Sequence, residues 1–417
     1  MRQGGPLRKA TPAKPLTFDE VSRTPMTPGL TADLAFAGGV ILFAAWLMLR
    51  RPLGGRAAFL LALARVGLVV VYFGFFDDGS WRLPDDINYT EQSLDLASSH
   101  GGAVGVLTSS EGFTMLGAVA GGTHFGYYAY NLIAFELFGE HYWAPVFLNV
   151  LMSFVAALAL LSMARSAGLG EAVRVPLAAV FLLHPDVIVW SSFLNLKDTL
   201  AMALTAWLLA LTLRLQRNFK LTDVLIALLI CATLSVVRSY LIVLYGIALT
   251  GWALLHAGWG MRVLAVGLGF AALPFAPKSG LNNFHPESAP SGLLEFIMTP
   301  RPWAVTRSYE FLVIPAAVHW TLLPLTIWGV IWLWRQGGHR ARLLVIYAAV
   351  LVAFYSCVPL LAGPRHRFQL VYVLVAAQAA GAYALAREVL AQRLGSVPGT
   401  ARVTSLPATL GDESVAP

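Results

Sequence analysis

The chain has 417 residues, of which 57% are hydrophobic and 12% are charged, and its mean hydropathy is +0.68. This composition excludes a soluble globular protein. The apolar runs approach the roughly 20 residues that cross a bilayer, and they are apolar on nearly every face, which excludes a transmembrane β-barrel of alternating strands. The net charge of +7 does not indicate nucleic acid, because the basic residues lie mostly in connections between apolar runs.

The chain order predicts an all-α polytopic membrane protein between two tails. Residues 1–31 are rich in Pro, Thr, Lys and Arg and predict a disordered basic tail, not a signal peptide. Residues 391–417 predict a disordered cytoplasmic tail. The domain 32–390 between them carries about eleven apolar segments of spanning length, at roughly 33–49, 57–76, 143–164, 175–191, 197–213, 222–237, 239–257, 262–276, 310–334, 342–361 and 368–386.

Basic residues cluster in every second connection and predict that these connections are cytoplasmic. The long loops 77–142 and 277–309 then lie outside the cytoplasm, as do the turns near 186–197, 238 and 365–367. An odd number of spans with a cytoplasmic C-terminus would place the basic N-terminal tail outside, so either the first segment does not fully cross or the count is wrong by one. Cys231 and Cys357 lie in apolar segments and predict packing, not a disulfide or a metal site.

The loop 77–142 carries two amphipathic stretches, Asn88 to Ser98 and Tyr127 to Phe138. Their patterns predict helices lying in the membrane interface, which would frame a groove. Residues 101–122 between them are rich in Gly, Ser and Thr and predict a mobile substrate loop.

Four carboxylates follow the second apolar segment, at Asp77, Asp78, Asp85 and Asp86. A carboxylate at the membrane surface can take the proton of an attacking sugar hydroxyl, and a second one can orient the acceptor or hold a divalent cation. Asp86 and Asp85 suit these two roles. The alternative is a solvated helix boundary at which Pro84 starts a turn.

A polar elbow joins two apolar segments, from His184-Pro185-Asp186 through Trp190 to Lys197-Asp198. Charged residues at the start of a membrane helix are costly unless they serve a site or reach the interface. Lys197 is a candidate for binding a lipid phosphate. The alternative is a structural anchor, with Lys197 paired to an acid and Asp198 capping the helix.

Arginines lie in three connections on the same side, where the positive-inside rule disfavours them. Guanidinium groups bind phosphate bidentately, so this set predicts a phosphorylated lipid as ligand, with snorkelling to headgroups as the alternative for Arg301 and Arg307. The set comprises Arg238, Arg301, Arg307, Arg365 and Arg367. Arg65 and His319, each within an apolar segment, predict structural roles, and the histidine spacing predicts no structural zinc site.

These motifs occur in a familiar order: Leu83 to Tyr89 opening an amphipathic helix, Leu137 to Trp143 before the next span, His184-Pro185 with Lys197-Asp198, and Arg365 to Phe368 before the last span. Over roughly residues 57 to 390 this order resembles the GT-C superfamily of polyprenyl-phosphate-sugar-dependent glycosyltransferases. The likeness is greatest to the family that includes protein O-mannosyltransferases and the lipid A aminoarabinose transferase. Some motifs also resemble membrane polymerases of bacterial exopolysaccharides.

The resemblance implies an inverting transfer of a sugar from a polyprenyl-phosphate donor, such as an undecaprenyl lipid, to a glycan, lipid or protein acceptor. It places the base on Asp86 with Asp85 adjacent, and the donor phosphate on Lys197, Arg238, Arg365 and Arg367. Residues expected to contact the substrates are Tyr89, His184, Trp190, Arg301, Trp303 and His366. Asp85 and Asp86 would hold Mg²⁺ or Mn²⁺ if a cation takes part, although the arginines make one unnecessary. The expected location is a bacterial inner membrane, with the site facing the periplasm.

Two alternatives stay open at this stage. A polymerase would transfer a whole glycan from an undecaprenyl diphosphate. A transporter or flippase of lipid-linked sugars would use the arginines for phosphate and the carboxylates for protons. A transporter should keep charges along a central path, whereas this chain concentrates them on one side and leaves its helix interiors nearly uncharged apart from Arg65, which favours surface chemistry.

Overall fold

The computed structural model describes residues 28–121, 124–166, 173–256, 258–272, 283–305, 307–358, 361 and 363–395. All regular structure within these ranges is helical. The two predicted tails lie outside the described residues, apart from residues 28–31 and 391–395, which belong to helices.

The first two helices are long and apolar, and four shorter helices follow them in the predicted loop 77–142. In chain order they are α1 (Pro28–Leu53), α2 (Gly55–Val71) with a π-helical turn (Tyr72–Phe76), α3 (Pro84–Ser99), α4 (Ala103–Thr108), α5 (Ser110–Val119) and α6 (Phe125–Phe138). The predicted mobile loop 101–122 is therefore largely helical. Val106 and Leu116 are buried there, and the Ser109 hydroxyl caps α5 by accepting from the backbone nitrogen of Gly112 at 3.0 Å.

The central and last helices build the rest of the bundle. They are α7 (Trp143–Ser166), α8 (Arg174–Leu182), α9 (Pro185–Ser192), α10 (Asp198–Leu215), α11 (Leu221–Arg238), α12 (Tyr240–His256), α13 (Trp259–Ala272), α14 (Ala289–Met298), α15 (Val313–Gln336), α16 (Gly338–Ser356), α17 (Pro364–Arg367) and α18 (Val371–Gly395). Short 3₁₀ turns lie at Pro302–Ala304, Arg307–Leu312 and Phe368–Leu370.

Within the described residues, eight helices are long and apolar enough to cross a membrane, or nine if α8 and α9 form one bent span. The chain is thus an all-α, polytopic integral membrane protein. The expected eleven spans are not confirmed, because α12 has 17 residues and α13 has 14. The fourth predicted segment is two helices that meet at 53°.

The bend between α8 and α9 follows from three consecutive residues. Pro185 has no backbone N–H and occupies the first turn of α9, where none is needed. His184 precedes it in extended conformation, and its Nδ1 accepts from the backbone nitrogen of Asp186 at 3.3 Å. The polypeptide therefore restarts a helix here instead of continuing α8.

Contacts between distant segments define two faces of the bundle. One face, called the site face below, holds the end of α2, the start of α3, the end of α11 and the start of α17. The start of α1 lies on the same face, because Asp33 is 3.3 Å from His141. The opposite face holds the ends of α7 and α10, where the Arg340 Nη1 donates to the Ser166 carbonyl at 3.2 Å. The basic connections at residues 50–56, 165–174 and 214–220 belong to helix ends on this opposite face.

Helices α15 and α18 approach each other through two glycines. A Cβ atom added to Gly329 would lie 1.7 Å from the carbonyl oxygen of Ala377, and one added to Gly381 would lie 2.3 Å from that of Leu325. The two backbones are thus in direct contact in mid-helix, a packing that only glycine permits.

Candidate functional site

A groove of about 860 Å³ opens on the site face between the start of α3, residues 291–305 and 309–312, and the turn that leads into α17. Its polar lining includes Asp85, Glu295, Arg301, Tyr309, Arg365 and His366. Its apolar lining includes Leu83, Trp190, Leu294, Val305 and Leu312. A groove with charge and apolar wall together suits a ligand that has a charged head and an apolar chain.

Asp198 is the central anion of the site and is fully buried at the start of α10. Its Oδ1 accepts from the Arg238 Nη1 at 2.5 Å and from the Gln369 Nε2 at 3.0 Å. Its Oδ2 accepts from the Arg365 Nε at 2.8 Å. One carboxylate thus ties together the ends of three elements that are far apart in sequence, and it leaves the pair of arginines with one net positive charge.

Arg365 connects this buried cluster to the groove. Its Nη1 donates to the Asp85 Oδ2 at 2.6 Å, and the Asp85 side chain is 52% exposed. Burial opposes ionisation of Asp85, but the hydrogen bond and charge of Arg365 outweigh it and lower the pKa of this carboxyl. Asp85 is therefore an ionised carboxylate that faces the groove and is held by a single exchangeable partner.

Asp86, the next residue, points away from the groove and is fully buried. Its Oδ1 accepts from the backbone nitrogen of Asn195 at 2.9 Å, and its Oδ2 accepts from the hydroxyl of Tyr142. Burial raises the pKa of Asp86 to about 7, against the opposing effect of these two hydrogen bonds. In this arrangement Asp86 holds the polar elbow and has no access to a substrate in the groove.

The polar elbow is fixed by amide and hydroxyl groups around Asn195. The Asn195 Nδ2 donates to the Thr90 Oγ1 at 2.9 Å and to the Asn131 Oδ1 at 2.7 Å, while its Oδ1 accepts from the Tyr127 hydroxyl at 2.6 Å. The Asn149 Nδ2 donates to the carbonyl of Leu194 at 3.3 Å. A buried and fully satisfied network of this kind fixes one conformation of the backbone that leads into α10.

Lys197 is buried beside these groups and does not line the groove. Its Nζ lies 2.9 Å from the Nδ1 of His124 and 5.4 Å from the ring centre of Tyr89. Burial, reinforced by the positive charge of Arg238, lowers the pKa of Lys197 to about 7. The predicted phosphate ligand Lys197 thus forms part of the wall behind the groove, as does Tyr89.

Other predicted residues divide between the groove and the protein interior. Trp190, Arg301 and His366 line the groove. Arg367 is buried, and its Nη1 donates to the carbonyl of Thr299, so that it holds the groove wall and not the groove itself. His184 is buried at the bend described above. Trp303 is exposed, packs against Trp320 and lies outside the groove.

The side chains of Asp85 and Asp86, the two residues predicted to hold a divalent cation, point in different directions. The Asp85 carboxylate contacts Arg365, whereas that of Asp86 contacts Tyr142 and Asn195. Within the described residues, no group of three or more His, Cys, Asp or Glu side chains has the geometry of a metal site. Asp85 and Asp86 therefore do not fit a shared cation in this arrangement.

Two structural predictions can be compared directly with contacts. His319 is a hydrogen-bonded packing residue as predicted, with its Nε2 2.8 Å from the carbonyl oxygen of Ile297. The structural role predicted for Arg65 consists of hydrogen bonds to neutral groups, because its Nη2 donates to the Ser191 Oγ at 2.6 Å and to the Val187 carbonyl at 3.2 Å. Helix α9 packs against α2 at this position and supplies both acceptors.

Several site residues are not apparent from sequence reasoning, namely Tyr142, Asn195, Glu295 and Gln369. Asn195 and Gln369 are polar residues next to predicted charged ones, and this proximity is a signal that could have identified them. Tyr142 lies in a stretch singled out for its resemblance alone, without a role. Glu295 lines the groove from α14 and has no distinguishing sequence context.

The comparisons with known proteins give no relative from which a function could be transferred. No family model matches the chain, and neither the search of curated proteins nor that of solved structures returns a match. The function proposed below therefore rests on the chemistry of the site.

Proposed function

We propose that the protein is a membrane glycosyltransferase that moves a sugar from a polyprenyl-phosphate donor to a hydroxyl acceptor, with inversion, at the groove on the site face. The observation that carries the proposal is the placement of Asp85 and Arg365, 2.6 Å apart, on the lining of one partly apolar groove. A transfer of this kind needs a carboxylate for the acceptor proton and a cation for the departing phosphate.

The proposed transfer forms one bond, breaks one bond and moves one proton. The acceptor oxygen attacks the anomeric carbon of the donor sugar, and Asp85 takes the proton of the acceptor hydroxyl. The bond between the anomeric carbon and the phosphate oxygen breaks, and its electron pair stays on the phosphate. Arg365 and Arg301 stabilise the added negative charge. Asp85 thus replaces Asp86, which the sequence favoured, because Asp86 is fully buried and both its oxygens are occupied.

The contact between Asp85 and Arg365 supports an order of events. Asp85 accepts a hydrogen bond from one guanidinium nitrogen of Arg365. A donor phosphate that binds Arg365 takes the place of Asp85 and releases its carboxylate toward the acceptor. Asp198 stays bound to the Nε of Arg365 and holds the guanidinium in position during this exchange. The base is therefore available only once the donor is in place.

The apolar lining supports a lipid as donor. Leu83, Leu294, Val305 and Leu312 border the same groove as the charged residues. An isoprenoid chain would lie along these side chains while its phosphate meets Arg365 at the polar end. A water-soluble nucleotide sugar would gain nothing from such a wall.

We also propose a topology with eleven crossings and the site face outside the cytoplasm, in a bacterial inner membrane. The Trp252 Nε1 donates to the His339 carbonyl at 2.8 Å, so α12 runs from the site face to the opposite face. The backbone nitrogen of His285 donates to the Cys357 carbonyl at 2.7 Å, which returns the chain to the site face after α13. The density of arginine on the opposite face supports its cytoplasmic orientation.

The proposal is tested in cells that lack the protein and receive wild-type, Asp85→Asn or Asp78→Asn protein. Asp78 is a matched control, because it is an exposed carboxylate of the same loop outside the groove. We expect one sugar to be missing from the surface glycans or lipids of Asp85→Asn cells, and its polyprenyl-phosphate donor to accumulate. Mass spectrometry of both fractions measures this, and Asp78→Asn should restore the wild-type pattern.

The other outcomes separate the remaining classes. Accumulation of complete diphosphate-linked repeat units without polymer would identify a polymerase. Full rescue by Asp85→Asn, with equal amounts of folded protein, would remove the base from the mechanism and return transport to consideration.

A further inference from the structure

A second pocket lies on the opposite face, at the other ends of the helices that carry Asp198 and Arg238. It has a volume of about 370 Å³ and is formed by the end of α7, the end of α10 and the turn into α11. Its lining consists of Ser162, Arg165, Ser166, Arg214, Arg217, Asn218, Lys220 and Asp223. No step of the proposed transfer uses any of these residues.

The pocket carries an excess of positive charge. Four cationic side chains face a single carboxylate, Asp223, which is buried and lies 2.8 Å from the Arg214 Nη2. Within the described part of the chain, the side chains of Arg165, Arg217 and Lys220 have no acidic partner at salt-bridge distance. Three cations thus converge on a concave site and are available to an anion.

Topology signals and helix dipoles account for basic residues at this face, but not for the pocket itself. Basic residues are expected at the C-terminal ends of α7 and α10 and on a cytoplasmic surface. Neither effect requires that they surround a cavity or that hydroxyl groups lie among them. Here Ser162 and Ser166 also line the pocket, which adds hydroxyl groups to the guanidinium and ammonium groups.

We propose that this pocket binds a phosphate group. Arginine pairs bidentately with phosphate oxygens, lysine adds a point charge, and serine hydroxyls complete the coordination of the remaining oxygens. The position at the ends of membrane helices is the level of lipid headgroups, and basic pockets between such helices bind anionic lipids. The phosphate therefore belongs either to a lipid headgroup or to a water-soluble phosphate compound, and the test separates the two.

The test uses the full-length protein in nanodiscs of phosphatidylcholine alone or with added phosphatidylglycerol, and in detergent with or without inorganic phosphate. The variant is Arg165→Gln with Arg217→Gln. The matched control is Arg51→Gln with Arg56→Gln, which removes two exposed arginines of the same face outside the pocket. Native mass spectrometry measures retained phosphatidylglycerol, and the shift in unfolding temperature measures binding.

We expect the wild type to retain and be stabilised by the anion, and the pocket variant to lose affinity about 25-fold, at about fivefold per arginine near a charged surface. The control should keep wild-type affinity. Stabilisation by inorganic phosphate would identify a soluble compound as the source, and stabilisation by phosphatidylglycerol alone would identify a headgroup. The proposal is overturned if neither anion stabilises the wild type, or if both double variants lose affinity equally.

Discussion

Replacing Asp198 with asparagine tests whether the buried carboxylate holds the site together. Asp198 is fully buried, and its partner Arg238 is only 6% exposed, so the substitution leaves buried positive charge without compensation. Removing one member of a buried ion pair costs about 3 to 5 kcal/mol. In asparagine an NH2 group replaces one of the two acceptor oxygens, so a hydrogen-bond donor would face the N–H of Arg365 or Arg238. We therefore expect the free energy of unfolding to fall by about 3 kcal/mol or more.

Asp223→Asn provides the matched control on the opposite face. It also removes a buried aspartate near the start of a membrane helix, but its partner Arg214 is 39% exposed and can turn to water. A pair of this kind contributes less than about 1 kcal/mol. Unfolding in mixed detergent and SDS micelles, followed by tryptophan fluorescence, measures both variants.

A double variant separates lost attraction from stranded charge. If the cost of Asp198→Asn comes from an uncompensated Arg238, then Arg238→Gln should cost less when it is added to the Asp198→Asn variant than when it is made in the wild type. Equal losses for Asp198→Asn and Asp223→Asn, or strict additivity in the double variant, would refute the reasoning.

Individual contacts support three further predictions. Burial raises the pKa of Asp86 to about 7 in the folded protein, whereas an unfolded aspartate loses its proton near pH 4, so the wild type should lose stability relative to Asp86→Asn as pH rises from about 4 to 7. The difference in unfolding temperature between the two proteins at both ends of this window measures the effect. Gly329→Ala should destabilise by about 1 to 3 kcal/mol through overlap with the Ala377 carbonyl, whereas Gly67→Ala, with nothing within 4 Å, should be neutral in the same unfolding assay. Arg301→Gln should lower kcat/KM for the lipid donor about fivefold and lower kcat as well, because Arg301 stabilises charge that develops on the departing phosphate; steady-state transfer measures both constants.

The membrane class and most helix positions follow from the sequence, because the length of an apolar segment is a local property. The bend at His184 and Pro185 is not predicted, because the apolar segment 175–191 continues through both residues and predicts a single span. The site is predicted in its parts: carboxylates near 85, a charged pair at 197 and 198, and arginines at 238 and 365. Sequence spacing alone cannot reveal which of two adjacent carboxylates faces the groove.

That choice depends on long-range contacts. The start of α3 turns Asp86 toward the elbow, where a backbone N–H and a tyrosine hydroxyl 56 residues later satisfy it. Asp85 consequently points toward Arg365, which is 280 residues away in the chain. The sequence predicts Asp198 as a helix cap, but its carboxylate pairs with arginines because the end of α11 and the start of α17 both lie beside it. Such assignments require the tertiary arrangement.

The glycine contact between α15 and α18 affects the width of the groove. Each helix begins at a wall of the groove, α15 directly after Leu312 and α18 after the turn that carries Arg365 and Gln369. The two helices cross at Gly329 and Gly381, and this crossing lies about 24 Å from the first residue of α15. A side chain added at this crossing would move the two helices apart without replacing any residue of the groove. The width of the groove, and with it the acceptor of the proposed transfer, therefore depends on residues that do not line the groove.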